Sequence, residues 1–237
     1  LVTPSLFWNE YIVRVSDIAN KKIQENDDPI VVLQDLTDEV LCKPVSEKMK
    51  PYVGDRIIVR SDVALRLIRA ARWIKERRPS LNLCVVYGYR HPDVQALSFN
   101  QKLEEYRSKY PGISDDELYS KTNECIADPN FAGHPTGGAV DCMLYEGESP
   151  TQLGTSPTAF GEEVDPKRYY PLSDCVTPLE RGNRLFLREA MMTQGFAPFN
   201  AEWWHFSYGD RDWACFYGEN SALYDSVPYE EVAELIS

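Results

Sequence analysis

The sequence predicts an α+β fold, helices flanking a sheet, and three observations carry that expectation. Four segments show helical spacing or helix-boundary chemistry, and three short apolar segments read as strands. The two kinds mix without the regular strand–helix alternation that a doubly wound parallel sheet needs. At 237 residues, 43% of them hydrophobic, the chain can bury a core without staples. It is read as one domain over 1–237, since no repeat, low-complexity tract or linker divides it.

The first helix is expected over 62–77, where Val63, Leu67, Ala70, Ala71 and Ile74 recur at helical spacing. Ser61 or Asp62 caps its start and Pro79 stops it. The second runs over 92–109, with Pro92 in the first turn, where a missing N–H costs nothing, and Tyr110-Pro111-Gly112 beyond its end. Ser114 and Glu117 form a capping-box pattern that opens a third, shorter helix. A fourth covers 179–194 and ends at Gly195, a residue suited to the left-handed conformation that closes helices.

Strands are expected over 83–87, over 139–145 after Gly137-Gly138, and over 203–208, which stops at Gly209-Asp210. Residues 30–35 and 56–60 are weaker candidates. The 146–178 stretch is rich in Pro, Gly and Ser and reads as a long functional loop.

The net charge of −12, with no basic patch, argues against nucleic acid as a partner. Lys21-Lys22 and Arg77-Arg78 read as solvated helix faces or ends. No apolar run is long enough for a membrane span. The six cysteines contain no Cys-x-x-Cys pair, which argues against a zinc ribbon or a thioredoxin-type site. Cys84 and Cys142, in apolar strand-like runs, are expected as buried free thiols.

Only three histidines occur, so their neighbourhoods are informative. His134 opens a glycine-rich segment that ends at Asp141, and His205 closes Glu202-Trp203-Trp204-His205. Catalytic zinc takes three nitrogen or carboxylate ligands and keeps one position open. Such an ion can lower the pKa of water from about 15.7 to about 7, and a nearby carboxylate can then take the proton. His134, Asp141 and His205 supply that ligand set, for one zinc per chain, and Glu202 supplies the base. Glycines between His134 and Asp141 allow a tight turn. Glu202 and His205, three apart, would face opposite sides of a regular strand, so Glu202 must lie before the pleat or in a bulge. Each segment also has a plainer reading: His134 as a capping residue, Asp141 as a buried structural carboxylate, Glu202 to His205 as core or a sugar platform.

At these residues the chain resembles the bacterial zinc D-alanyl-D-alanine dipeptidases and D,D-carboxypeptidases. That family carries Ser-x-His-x-x-Gly-x-Ala-x-Asp and a later Glu-x-x-His. Here these are Ala132-Gly133-His134-Pro135-Thr136-Gly137-Gly138-Ala139-Val140-Asp141 and Glu202-Trp203-Trp204-His205. Gly88-Tyr89-Arg90 matches a further Gly-Tyr-Arg, and order and spacing agree over about 60–208. The resemblance implies a central antiparallel sheet carrying the zinc ligands, and a small peptide substrate, with D-amino acids, from cell-wall metabolism. It implies Glu202 as proton shuttle and Arg90 as the group that binds the oxyanion. His91 has no matching role and reads as structural.

Two departures stand out. Ala132 replaces the family's serine. Pro157 and Thr158 stand where the dipeptidases carry Phe and the Asp that holds the substrate's ammonium; Glu162, Glu163 and Asp165 are candidates to replace that anion from a shifted loop. A D,D-carboxypeptidase or endopeptidase on longer stem peptides, and a non-catalytic zinc-containing binding module, are the alternatives. The start at Leu1-Val2-Thr3-Pro4-Ser5, with neither Met nor a signal region, and the six cysteines favour the bacterial periplasm or envelope over the cytoplasm, although the dipeptidases of resistance act inside the cell. The sequence carries no signal for an oligomeric state.

Overall fold

The computed structural model describes residues 2–159 and 165–237. Its main sheet runs in the order Leu41–Cys42, Leu81–Tyr87, Ala139–Glu146, His205–Ser207, Ala197–Pro198, with Ser149–Pro150 folded back on Ala139–Glu146. The Ala139–Glu146 strand is central because every residue from Ala139 to Leu144 is buried, so both of its faces are covered. All pairings are antiparallel except the edge strand Leu41–Cys42, which runs parallel to Leu81–Tyr87. The sheet is therefore mixed, a correction to the antiparallel expectation. A two-residue edge strand is too short to leave a period in the sequence.

Ser61–Arg77 covers one face of the sheet, burying Val63, Ala64, Leu67, Ala70, Ala71 and Ile74. Its cap differs from expectation. Arg60 holds the cap position, and the capping carboxylate comes from Asp28, which accepts from the Asp62 N–H at 3.0 Å and the Ser61 hydroxyl at 2.6 Å. Pro92–Lys109 starts on His91, whose imidazole accepts from the Asp93 N–H at 3.0 Å, so His91 is the helix cap. Asp115–Asn123 opens with the Ser114/Glu117 box, and Pro178–Met192 opens with a second box at Thr177/Glu180. Gly195, at φ +85°, follows that helix.

Residues 30–35 split into a strand, Ile30–Val32, and a helical turn, Leu33–Leu36. The Gln34 amide ends the pairing with Ile58–Arg60 by bonding Ile57 N–H and Asp55 C=O itself. The 203–208 segment is strand only over His205–Ser207, because Trp203 and Trp204 lie in turns.

Two buried arginines fasten irregular chain to the Pro178–Met192 helix. Arg184 donates to the carbonyls of Leu153, Arg168 and Tyr170. Arg188 donates to the carbonyls of Phe7 and Asn9 and to Asn200 Oδ1, while Asn200 Nδ2 donates to Tyr11 C=O. The first tethers the chain at Leu153 and at Arg168–Tyr170, and the second the N-terminal segment. All six cysteines are free, with Cys84 and Cys142 buried. No helix among the described residues is long and apolar enough to cross a membrane.

Candidate metal centre and active site

Asp141 and His205 are direct partners on adjacent antiparallel strands, so their side chains leave the sheet on the same face. His205 Nδ1 lies 3.1 Å from Asp141 Oδ1. His134 arrives from the one-turn helix His134–Thr136 ahead of the central strand. Gly137 closes that turn at φ +71°, which a side-chain-bearing residue adopts only with strain, and the reversal brings His134 Nε2 to 3.4 Å from the same Asp141 oxygen. His134 Nδ1 lies 2.9 Å from Gly88 C=O, which can only accept, so Nδ1 carries the proton and Nε2 turns a lone pair inward.

One ligand atom from each residue lies within 4.8 Å of the others. Two imidazole nitrogens and a carboxylate oxygen, one imidazole already oriented by a backbone carbonyl, are a donor set that fits zinc.

Glu202 sits in the turn before the His205–Ser207 strand: its N–H bonds Phe199 C=O and its C=O accepts from His205 N–H, both at 3.2 Å. The conflict between residues three apart is removed because the pleat begins only at His205. Arg90 follows the Leu81–Tyr87 strand, whose register shifts between Val85 and Tyr87. The intervening Gly88 packs so tightly that a Cβ would stand 2.5 Å from Ile58 C=O. Arg90 Nε donates to Tyr87 Oη at 3.1 Å and Nη1 to Gln95 Oε1 at 2.8 Å, with the guanidinium over the Tyr87 ring. Its Nη2 has no protein partner among the described residues. Arg90 N–H in turn donates to His134 C=O at 3.2 Å, so the two segments clasp one another twice.

Arg90, His134, Asp141, Glu202 and His205 line one cavity of about 180 Å³. Its other wall includes Val13, Phe131, Pro157, Phe199 and Asp212. The volume is below the roughly 300–1,000 Å³ of pockets for drug-sized molecules, which suits a small ligand.

The electrostatics separate the carboxylates. Burial raises Glu202 to about 7, helped by repulsion from Asp141 and opposed by His205 and Arg90. Burial would raise Asp141 too, but the His134 and His205 imidazoles outweigh it and hold its pKa below the usual range. Burial lowers His134 to about 4, against the pull of Asp141. For His205, burial is overcome by the hydrogen bond and charge of Asp141, and the pKa rises to about 9. Asp141 thus stays ionised, as a metal ligand must, and His134 stays neutral.

Ala132 lies in the cavity lining and offers no hydroxyl. Thr158 shares its hydroxyl with Ser156 at 2.8 Å and brings no charge. Asp165 accepts from the Lys167 N–H as the cap of a short helix, Pro166–Tyr169. Glu162 and Glu163 lie outside the described residues. Sequence reasoning missed Tyr87 and Gln95, which hold Arg90, and it missed Asp212 and the N-terminal wall.

Residues 35–223 match the peptidase M15 family, described as D-ala-D-ala dipeptidase. A D-alanyl-D-alanine dipeptidase of Synechocystis sp. is 26% identical over 205 residues, covering 76% of this chain and 78% of that protein. One of Streptomyces coelicolor is 29% identical over 180 residues, covering 72% and 80%. A solved vancomycin resistance D,D-pentapeptidase overlays at a TM-score of 0.43 and 15% identity, over 91% of this chain and 96% of that one. With its family match spanning most of the sequence, the chain belongs to the peptidase M15, D-ala-D-ala dipeptidase, family.

Proposed function

We propose that the chain is a zinc peptidase that hydrolyses D-Ala-D-Ala or a closely similar dipeptide in cell-wall metabolism. His134, Asp141 and His205 hold the ion. One observation carries the reading: an unligated carboxylate, Glu202, and a guanidinium, Arg90, share a small cavity with a three-ligand cluster. A binding module has no use for that carboxylate.

Zinc at this centre supplies a Lewis acid that acidifies water and polarises the scissile carbonyl. Glu202, with its pKa raised towards neutrality, takes the proton of the attacking water and delivers it to the leaving nitrogen. Arg90, fixed by Tyr87 and Gln95, directs its unbonded Nη2 to the carbonyl oxygen as negative charge develops there. The test is hydrolysis of D-Ala-D-Ala by zinc-assayed protein. Zinc-loaded protein inert on D- and L-peptides would sink the enzyme reading.

Thr158 favours a second reading, a D,D-carboxypeptidase, because a site that buries a free ammonium needs an anion and the 158 position lacks one. Preference for an N-acylated peptide over the free dipeptide would establish it.

A further inference from the structure

Resting on the reading that the substrate is a dipeptide with a free amino terminus, the geometry points to Asp212 as the fixed anion that pairs with the substrate's ammonium. Asp212 belongs to the Arg211–Tyr217 helix and lines the same cavity as Arg90, Glu202 and the three candidate ligands. The Asp210 carboxylate accepts from the Trp213 N–H at 2.9 Å, which fixes the start of the helix that carries Asp212.

Among the described residues, the carboxylates lining the cavity are Glu124, Asp141, Glu202 and Asp212. Asp141 faces both imidazoles, Glu202 is the proton carrier, and Glu124 is exposed just past the Asp115–Asn123 helix. Asp212 is left. Its carboxylate makes no hydrogen bond or ion pair among the described residues, and the one cationic group acting on it is His205. Val13, Val15 and Ile18 line the same cavity, so the half-buried Asp212 carboxylate faces a partly apolar surround in which a cation is held more firmly than at open surface. Burial, reinforced by Asp210, raises the Asp212 pKa, and a cation beside it would oppose that rise. A free dipeptide brings that charge; an acylated peptide leaves Asp212 unpaired. Selection for a free amino terminus therefore lies with Asp212 rather than with position 158.

The experiment compares wild-type protein, Asp212→Asn and Asp212→Glu on D-Ala-D-Ala and N-acetyl-D-Ala-D-Ala, with zinc assayed in each. In Asp212→Asn the kcat/KM ratio of free to acylated substrate is expected to fall about 100-fold, mostly through KM for the free dipeptide. Asp212→Glu recovers part of the ratio because it keeps the charge. A proportional loss on both substrates, or loss of zinc, would show that Asp212 acts through His205 and would overturn the proposal. An unchanged ratio overturns it as well, as does a ratio that collapses in Glu162→Gln or Glu163→Gln instead. Wild-type protein that cleaves the acylated peptide and not the free one removes the dipeptide reading itself and the proposal with it.

Discussion

The two walls of the cavity are held in place by different physics. On one side, Asp141 and His205 are set by strand register, and His134 by a single helical turn bonded to Gly88. On the other, Val13, Phe131 and Pro157 come from three separate segments outside the sheet and the long helices. Backbone pairing fixes the first wall. The N-terminal and 150–170 parts of the second depend on Arg188 and Arg184, cations whose pKa values burial lowers to about 10, still charged at neutral pH and bonded to neutral acceptors. The candidate metal ligands thus stand on the side fixed by backbone pairing, and part of the apolar lining stands on the clamped side.

The largest expected effect tests the rigid wall. Glu202→Gln should lower kcat on D-Ala-D-Ala by about 1,000-fold, within the range for a lost general base, while zinc content stays at one per chain. A near-native rate would remove Glu202 from the mechanism. Next comes the clamped wall. Arg188→Leu leaves the carbonyls of Phe7 and Asn9 without their donor, so it should raise KM about tenfold and cost about 3 kcal/mol of stability in denaturant unfolding. An equal loss in kcat would mean the walls are not separable.

Gln95→Leu, which frees Arg90 Nη1, should lower kcat several-fold, roughly up to tenfold, with KM and zinc little changed. A change confined to KM would place Gln95 with the clamped wall.

The smallest effect is in pH. In the proposed mechanism Glu202 acts as the carboxylate, so kcat/KM should fall as pH drops through its pKa, about tenfold per unit. Burial sets that pKa near 7, and a neighbouring metal cation lowers it, so the acid limb lies below about 7 and disappears in Glu202→Gln. In metal-free protein the proton that Asp141 holds on His205, with a pKa of about 9, must leave as zinc enters. Zinc affinity therefore falls as pH decreases from about 9, which competition titration reads directly.

Much of the rigid wall was legible because its determinants are local. Spacing placed the helices over 62–77 and 92–109 within a residue of Ser61–Arg77 and Pro92–Lys109. The glycines of 137–138 and the need to set Glu202 ahead of the pleat pointed to the turns that form. The parallel edge strand, the Asp28 cap of the first long helix and the start of the last strand only after Trp203-Trp204 were not legible. Each is decided by partners far along the chain: Asp28 is 34 residues from Asp62, and Trp203 N–H is taken by Tyr169 C=O. The same holds for the clamped wall, where Arg188 and Phe7 lie 181 residues apart. The Glu-Trp-Trp-His pattern is visible without knowing the fold, whereas Asp212 becomes significant only once Val13 and Val15 are beside it.

The double clasp between Gly88–Arg90 and His134 has a structural consequence for how the cleft can change. A displacement of His134 pulls on the backbone of Gly88 and Arg90 through these two bonds, so the two segments shift together. Widening or narrowing of the cleft then falls to the opposite jaw, where Val13, Phe131 and Pro157 come from three separate segments.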